Sequence, residues 1–569
     1  MGAVPQKGSD MKIIQGLLKE IYENGIYPTL LDEILTQIDA TRSHINASAK
    51  SCWDESDVVL ITYADQFAET GKSSLSVLND FYQDRLSRAF TIIHLLPFYP
   101  YSSDDGFSVI DYQQVNPVDG NWEDIRELGK SSRLMFDYVC NHISAGSEWF
   151  KEYLSGNPRY ANYFIDCEAN VDLSAVTRPR RSPLLTPFRC DNGDIRHIWT
   201  TFSADQIDLN FANPVVLRDM IGVLLKYLRE GAEYVRLDAV GYMWKETGTR
   251  CIHLPETHLL VKLFRAVVDY VSPGTVIITE TNVPHQDNIS YFGNGHDEAQ
   301  MVYQFPLPPL VLHGIHTQNC TTLKRWAEGL DACTPSTTFF NFLASHDGIG
   351  LNPLRGLLPE DDILRLVNEL KEEGALVSYK NNPDGSSSPY EMNVTYMDAL
   401  NKQQDNDDIR ICRFMLAHAI LLAFPGVPAV YIQSILGSRN DNHGVNFAGH
   451  NRAINRQKYR LSDIEKELNN PESLRARVYE KLTELIVCRT RQSAFHPAQT
   501  MTMIESSDGV LAFIRGEGTG EIYCLFNLSE RIQTVKIPPG DYVMLPEESI
   551  HPCEDFMTLQ PYQYMWLRH

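Results

Sequence analysis

Three acidic residues in this sequence each follow a short apolar run, and together they suit nucleophilic and acid–base chemistry. Asp238 follows YVRL, Glu280 follows VIIT, and Asp347 follows FLASH. Any one of them alone is explained equally well as a helix cap or as a member of a buried ion pair. Three carboxylates behind three apolar runs favour a shared catalytic site.

The surroundings of two of these carboxylates predict different protonation states. Arg236 lies two residues before Asp238 and therefore on the same face of a strand, where a guanidinium keeps Asp238 ionised as a nucleophile. Glu280 follows Ile277, Ile278 and Thr279, an apolar setting that raises the pKa and keeps the carboxyl protonated as an acid. One charged and one protonated carboxyl group are the arrangement used for glycosidic-bond chemistry.

The elements that must position these residues form a repeating pattern from about residue 58 onward. Continuous apolar runs alternate with helical segments such as 214–230 and 257–271, which predicts a parallel sheet covered on both faces. Eight such runs predict a (β/α)₈ TIM barrel, in which polar residues at the C-terminal strand ends point into the active site. The runs are 58–65, 91–97, 133–142, 234–240, 276–281, 301–305, 339–347 and 427–433.

The spacing of the runs predicts the domain organisation. Residues 1–50 read as an N-terminal helical extension and 51–496 as the catalytic barrel. The gaps at about 143–233, after the third strand, and about 348–426, after the seventh, are too long for loops and predict inserted subdomains at the barrel mouth. Residues 497–569 alternate apolar and polar side chains, which predicts a small C-terminal antiparallel β-domain.

Composition excludes several classes of function. The 569 residues carry a formal charge of −23, which argues against binding to nucleic acid or to a membrane surface. The 11 cysteines form no CxxC pair, so we expect reduced thiols in a cytoplasmic protein.

The apolar stretch 414–432 contains Pro-Gly-Val-Pro, which indicates a buried helix followed by a buried strand. No metal-ligand spacing, GxGxxG or P-loop is present, so we expect no metal and no cofactor.

Four segments resemble the signature segments of the α-amylase family of glycoside-active enzymes: DYVCNH (137–142), VRLDAVGY (235–242), ITE (278–280) and FLASHD (342–347). Their order and spacing also resemble those of the family. The resemblance implies Asp238 as nucleophile, Glu280 as general acid/base and Asp347 as transition-state stabiliser. It further implies sugar-binding or orienting roles for Arg236, His142 and His346, with Asp137 and Asn141 as supports.

Longer segments are similar to the sucrose phosphorylase subfamily, among them VLITYADQF, HLLPFYPYSSDDGFSVIDY, ASHDGIGLNPLRGLL and NRAINRQKY. That resemblance implies that Asp104 and Arg452 grip the glucose 4-hydroxyl without calcium, with Asp105 as an alternative to Asp104. Without the resemblance, Asp104 reads as a turn residue before Gly106, and Arg452 as part of a surface ion pair. Three aromatic residues either stack on the sugar or belong to the core: Tyr63, Phe202 and Tyr242.

A basic loop carries the prediction about the acceptor. Arg178, Arg180 and Arg181 face the loop 384–396, which holds Tyr390, and arginine binds phosphate and carboxylate bidentately. We expect Arg180 to be the main anion contact, with Arg178 and Arg181 as supports and Tyr390 beside it. The alternative is a solvated basic turn on an acidic protein. Segments 177–188, 381–400 and 432–441 most resemble members of the subfamily that act on an α-glucoside of glycerate.

Several functions compete on this evidence. The first is a retaining phosphorylase for an α-glucoside of glycerate, with sucrose, sucrose 6′-phosphate or glucosylglycerol as alternative substrates. The second is a retaining α-glucosidase, in which water replaces phosphate. The third is a non-enzymatic barrel resembling the heavy-chain ectodomain of amino-acid transporters, which the retained carboxylates disfavour. In the first case the partners are small molecules alone: an α-glucoside, phosphate and glycerate. Oligomeric state stays open.

Overall fold

A computed structural model describes residues 7–45 and 53–569, and at its centre eight parallel strands form a closed barrel. Each predicted apolar run supplies one strand, because nearly every residue in it is buried between the barrel interior and the surrounding helices. The strands are β1 (Val59–Thr62), β2 (Ile92–Leu95), β3 (Arg133–Tyr138), β4 (Ala232–Leu237), β5 (Val276–Thr279), β6 (Met301–Tyr303), β7 (Thr338–Asn341) and β8 (Val427–Tyr431). They follow one another in chain order, and β8 closes on β1 where Ala429 pairs with Val59. The prediction of a TIM barrel is confirmed.

Helices surround the barrel and carry ordinary capping signals. The helix at 214–229, for example, begins after Asn213, whose side chain accepts a hydrogen bond from the amide of Val215 at 3.0 Å, and it has Pro214 in its first turn. In chain order the helices are α1 (Lys7–Ile21), α2 (Pro28–Arg42), α3 (Ser74–Phe81), α4 (Trp122–Gly129), α5 (Glu148–Leu154), α6 (Pro214–Arg229), α7 (Pro255–Val271), α8 (His285–Ile289), α9 (Leu307–Thr317), α10 (Thr321–Glu328), α11 (Glu360–Glu372), α12 (Tyr396–Leu400), α13 (Asp407–Ala423), α14 (Ile432–Ile435), α15 (Asn442–Ala448), α16 (Leu461–Leu468) and α17 (Leu474–Thr490).

Two inserts lie at the C-terminal ends of the barrel strands. The first follows β3 and contains a three-stranded sheet of Asp166–Cys167, Leu185–Arg189 and Ile195–Trp199, after which α6 returns the chain to β4. The second follows β7 and contains α11 and another three-stranded sheet. Its strands are Ile349–Gly350, Leu376–Asn381 and Ser387–Asn393, the last two forming an antiparallel hairpin. Both inserts therefore project over the end of the barrel where a TIM-barrel active site forms.

The two ends of the chain add peripheral layers. Helices α1 and α2 pack on α6 and α7 through buried side chains such as Leu18 and Ile34. The C-terminal region contains β9 (Met501–Met503), β10 (Val510–Arg515), β11 (Ile522–Asn527), β12 (Gln533–Lys536), β13 (Gly540–Leu545), β14 (Ser549–Cys553), β15 (Phe556–Leu559) and β16 (Tyr564–Arg568). Six of these strands form one antiparallel sheet in the order β9-β10-β11-β16-β13-β14, and β12 pairs with β15. The predicted C-terminal β-domain is confirmed.

The most apolar stretch of the sequence lies inside the fold. It forms the buried second half of α13 and then β8, with the break at Pro425 and Gly426. Within residues 7–45 and 53–569, no helix combines the length and the apolar character needed to cross a bilayer.

Candidate active site

The three predicted carboxylates come together in one cleft at the C-terminal end of the barrel. Asp238 directly follows β4, Glu280 directly follows β5, and Asp347 lies six residues beyond the end of β7. All three line the cleft, together with His142 and His346. The parallel strands place their C-terminal ends at one edge of the barrel, which is why residues 109 positions apart in the chain (238 to 347) share a site.

Arg236 organises the base of the cleft. It is 1% exposed and donates from Nη1 to Oδ1 of Asp137 at 2.5 Å and to Oδ1 of Asp238 at 2.9 Å. Its Nε donates to the hydroxyl of Tyr303 at 2.8 Å. Asp137 is held from the other side by Nε2 of His94 at 2.6 Å. The buried guanidinium therefore fixes the orientation of Asp238 through a fully bonded network.

Burial and Arg236 together set the protonation of Asp238 and Glu280. Burial raises the pKa of each carboxyl to about 7, and Arg236 opposes the rise in both. The opposition is stronger at Asp238, because Nη1 of Arg236 bonds it at 2.9 Å while Nη2 lies 3.8 Å from Glu280. The amide of Ala239 donates to Oε2 of Glu280 at 3.1 Å and orients it. When the pair shares one proton, that proton resides on Glu280.

Asp347 is held ionised. Burial acts to raise its pKa, but His346 and Arg452, with more distant arginines, outweigh burial and keep the pKa well below the usual range. Nη1 of Arg452 lies 3.0 Å from Oδ1 of Asp347, and Nε2 of His346 lies 3.4 Å from Oδ2. A carboxylate that is ionised at neutral pH can stabilise positive charge that develops beside it in a transition state.

The inner end of the cleft has an aromatic wall and a strained acidic turn. The ring of Phe107 stacks on His346 with centroids 4.9 Å apart, and His142 donates from Nε2 to the carbonyl of Phe107 at 2.9 Å. Asp104 and Asp105 both adopt left-handed backbone conformations, with φ of 52° and 46°. Strain of this kind is concentrated at functional sites. Gly106 follows them, and a Cβ there would lie 2.6 Å from the carbonyl oxygen of Pro97.

The ionic partner of Asp104 in the structure is Arg456. Arg452 lines the cleft beside Asp104, but its ion pairs are with Asp347 and Glu391. Arg456 reaches the acidic turn instead, with Nη1 3.5 Å from Asp104 and 2.9 Å from Asp105. Asp104 and Arg452 both line the cleft, and their binding of the glucose 4-hydroxyl stays a prediction. Arg452 lies on a short 3₁₀ segment, and Arg456 lies at the end of that segment.

Of the three arginines in the basic loop, one enters the cleft. The guanidinium carbon of Arg180 lies 5.0 Å from the ring centre of Tyr390 and 5.4 Å from that of Phe202. Arg178 bonds the carbonyl of Ser182 within its own loop, and Arg181 is exposed over the ring of Tyr379. Neither lines the cleft. Among residues 7–45 and 53–569, no carboxylate forms an ion pair with Arg180, whose Nη1 donates to the carbonyl of Pro179 at 3.1 Å.

The predicted aromatic residues divide into two groups. Tyr242 and Tyr390 line the cleft with Phe202, and Tyr242 meets Phe202 edge to face at 5.4 Å. Tyr63 is 3% exposed and lies outside the cleft lining, with Nζ of Lys458 3.5 Å above its ring. Cleft residues that sequence reasoning missed are Phe107, Gln206, Asn282, Tyr303, Glu391 and Asn455. Phe107 could have been found because it is the aromatic residue of the SDDGF motif. The other five residues have no comparable signal in the sequence.

A lysine supports the cleft from behind. Nζ of Lys245 lies 2.8 Å from Asp208 and donates to Oδ1 of Asn141 at 3.0 Å, and the Lys245 side chain is 3% exposed. The ammonium group thus binds oxygen atoms of Asp208 and Asn141 and fixes the position of the Asn141 side chain. Across the part of the chain that the structure describes, no three His, Cys, Asp or Glu side chains are grouped as for a metal ion.

Comparison with known proteins shows the family to which the chain belongs. The family model of the alpha amylase catalytic domain matches residues 87–349 of the sequence. Glucosylglycerate phosphorylase of Escherichia coli (strain K12) is 56% identical over 98% of this chain and 99% of its own length. Glucosylglycerate phosphorylase of Allomeiothermus silvanus is 48% identical over 85% of this chain and 87% of its own. The crystal structure of sucrose 6F-phosphate phosphorylase from Thermoanaerobacter thermosaccharolyticum superposes with a TM-score of 0.75 at 25% identity, covering 89% of this chain and 99% of that one. The chain therefore belongs to the α-amylase family, and within it to the group of glucoside phosphorylases.

Proposed function

We propose that this protein is a retaining hexosyltransferase that catalyses the reversible phosphorolysis of 2-O-α-D-glucosyl-D-glycerate to α-D-glucose 1-phosphate and D-glycerate. The observation that carries the proposal is Arg180, a cation without an ion-paired carboxylate among the described residues, in the same cleft as Asp238, Glu280 and Asp347. The identity of the curated relatives supports the same acceptor. Both glycerate and phosphate are anions that a guanidinium binds bidentately.

The first half-reaction forms a glucosyl ester on Asp238. The Asp238 carboxylate attacks C1 of the glucosyl group while the bond from C1 to the glycerate oxygen breaks. Glu280 donates its proton to that oxygen, so glycerate leaves as the hydroxy acid anion. Asp347, ionised beside the site, stabilises the positive charge that develops on the sugar ring.

The second half-reaction transfers the sugar to phosphate. Phosphate takes the place of glycerate at Arg180, and one of its oxygens attacks C1 while the ester bond to Asp238 breaks. Glu280, now ionised, accepts the proton of the attacking phosphate hydroxyl and returns to its starting state. Two inversions at C1 leave the product in the α configuration.

The inner end of the cleft binds the glucosyl group. We infer that the acidic turn, Asp104 with Asp105, and the two arginines of the 3₁₀ segment bind the 4-hydroxyl end of the sugar. Phe107 forms the apolar wall against which the ring lies, next to His142. This network closes the far end of the pocket, so one glucosyl unit fits.

The main competing function is a plain α-glucosidase. Attack by water needs no cation, whereas phosphate is an anion. An arginine held between two aromatic rings without an ion-paired carboxylate among the described residues therefore favours phosphorolysis over hydrolysis. The choice of glycerate over a neutral acceptor such as fructose is supported by the relatives. The ten cysteines within the described residues form no disulfide, which fits our proposal of a reducing compartment such as the cytoplasm.

One assay tests the proposal. The purified protein is incubated with inorganic phosphate and, separately, 2-O-α-D-glucosyl-D-glycerate, sucrose and glucosylglycerol, and the release of glucose 1-phosphate and of free glucose is measured. We expect glucose 1-phosphate of the α configuration, formed fastest from the glycerate glucoside. Release of glucose at the same rate with and without phosphate would establish the hydrolase instead.

A further inference from the structure

Tyr291 is a fully buried tyrosine behind the wall of the cleft that the proposed mechanism does not use. Its hydroxyl shares a hydrogen bond with Nδ1 of His253 at 2.5 Å, and its ring stacks on His258 with centroids 4.6 Å apart. Nδ1 of His258 lies 2.8 Å from Oε1 of Glu298, which is itself buried. Tyr291 is therefore held by His258 on one side, and it holds His253 on the other.

The ring of His253 packs directly against the turn that follows Asp238. Residues Val240–Tyr242 form this 3₁₀ turn, and Gly241 is its middle residue. A Cβ at Gly241 would lie 3.1 Å from Cε1 of His253 and 3.3 Å from the Tyr291 hydroxyl. The amide of His253 also donates to the carbonyl of Gly241 at 2.9 Å. The backbone of the turn thus lies against His253 and Tyr291 with little space for a side chain between them.

The loop that carries His253 has an unfavourable backbone conformation. Cys251 and His253 have φ of 52° and 55°, in the left-handed region that residues other than glycine rarely adopt. Such strain persists where the surrounding contacts impose it, and it is concentrated at functional sites. The contacts of His253 with Gly241 and Tyr291 contribute to imposing it.

The same turn connects His253 to the acceptor side of the cleft. Its last residue, Tyr242, lines the cleft and meets Phe202 edge to face with centroids 5.4 Å apart. The guanidinium carbon of Arg180 lies 5.4 Å from the centre of the same Phe202 ring. Because packed side chains transmit displacements, a shift of the turn moves Tyr242 and alters the surface on which Arg180 rests.

We propose that His253 is a positioning residue for the acceptor side of the cleft, an inference that rests on the proposed function. Supported by Tyr291, it fixes the turn Val240–Tyr242 and so sets the place of Tyr242 beside Phe202 and Arg180. His253 does not line the cleft, so its contribution reaches phosphate and glycerate through Tyr242. Attack by water, which needs no contact with Arg180, depends on it less.

The test measures how the glucosyl-enzyme divides between phosphate and water. With α-D-glucosyl fluoride as donor, the ratio of glucose 1-phosphate to glucose is measured over a range of phosphate concentrations, and the slope of this ratio is the readout. A loss of folded enzyme, or a disturbance that reaches Glu280, affects both products and cancels in the ratio. We expect His253→Ala to lower the slope at least threefold.

His418 on α13 provides the matched control. Burial lowers the pKa of His253 and of His418 to about 4, so both imidazoles are neutral at pH 7. Nδ1 of His418 contacts the carbonyl of Phe414 within its own helix, away from the cleft lining. His418→Ala therefore removes a similar buried ring and should leave the slope within twofold of the wild type.

Two further variants separate positioning from a general effect on the fold. In the Tyr242→Ala background the route to the acceptor is gone, so His253→Ala should lower the slope by less than twofold there. Tyr291→Phe keeps the buried ring and removes the hydroxyl that His253 contacts. It should lower the slope at least twofold, and it decides the inference if His253→Ala fails to fold.

The inference is overturned if the deciding variant lowers the slope by less than these factors. It is also overturned if His253→Ala has the same effect with and without Tyr242, or if His418→Ala reproduces that effect. A wild type that forms no glucose 1-phosphate at any phosphate concentration would refute the proposed function, and the inference with it.

Discussion

Replacing Arg180 by alanine should separate the two reactions that the glucosyl-enzyme can undergo. Phosphate and glycerate both lose their cationic contact, whereas attack by water requires none. A bidentate, charge-assisted contact of arginine with an anion is worth about 1.5–3 kcal/mol. Since each 1.36 kcal/mol corresponds to a factor of ten in rate, kcat/KM for phosphorolysis should fall roughly 10- to 150-fold.

The structure predicts that this loss stays local. Arg180 packs on the rings of Tyr390 and Phe202 and bonds its own loop at Pro179, so its removal breaks no ion pair among the described residues. Hydrolysis of a glucosyl donor should therefore stay within about threefold of the wild-type rate. Arg180→Lys keeps the charge but loses the planar fork, and an intermediate loss is expected.

Arg181 provides the matched control. It is the next residue in the chain, carries the same charge, and lies exposed over Tyr379 outside the cleft lining. Initial rates of glucose 1-phosphate and glucose release from the glycerate glucoside are measured for Arg180→Ala, Arg181→Ala and the wild type over a range of phosphate concentrations. The reasoning is refuted if Arg180→Ala lowers phosphorolysis and hydrolysis by the same factor, or if Arg181→Ala reproduces its effect.

Other residues give further predictions. Asp238→Asn should reduce turnover by roughly 10⁴-fold or more, and wild-type rates or a β-configured product would contradict its role as nucleophile. Burial raises the pKa of Glu280 from 4.5 to about 7. The contribution of Glu280 to stability is therefore present below about pH 4.5 and is lost as the pH rises through 7. The variant Glu280→Gln should accordingly unfold at a higher temperature than the wild type at about pH 8, with no such gain near pH 4. The closed inner end at Asp104 excludes long glucans, so no glucose 1-phosphate should form from soluble starch, and efficient starch cleavage would argue against a one-sugar pocket. Lys245→Met leaves the buried Asp208 carboxylate without its cation and should lower the free energy of unfolding by about 3–5 kcal/mol in urea titrations, whereas an unchanged value would show that the pair contributes little.

The barrel and the positions of the cleft carboxylates were predictable because their signals are local. A strand buried on both faces must be continuously apolar, so the eight runs mark the strands, and the first polar residue after β4 or β5 marks the site. The positions of Asp238 and Glu280 in the cleft could therefore be predicted from the sequence. The same reasoning separated α13 from β8, because Pro and Gly interrupt the apolar stretch between them.

The partners of these residues were harder to predict because they depend on irregular segments. Arg452 and Arg456 are four residues apart on a 3₁₀ segment and its end, where no periodic rule says which one faces Asp104. Glu391 comes from an insert strand whose approach depends on a glycine in another loop, a relation between distant segments that a single sequence does not display. Tyr63 directly follows β1, whereas Phe107 lies twelve residues beyond β2, and the path of the chain brings Phe107 to the cleft.

The two inserts meet above the cleft, where Asn381 of the second donates to the carbonyl of Arg181 of the first at 3.2 Å, and Tyr390 faces Arg180. This contact joins two segments about 200 residues apart in the chain. Under the proposed function, residues at and beyond the ends of the barrel strands bind and activate the sugar, whereas these two segments select the leaving group. Paired changes in the inserts can therefore generate new acceptor specificities while the sugar chemistry is inherited intact. Directed evolution toward other glucosides should accordingly randomise both inserts together, since a library confined to either one changes half of a shared surface.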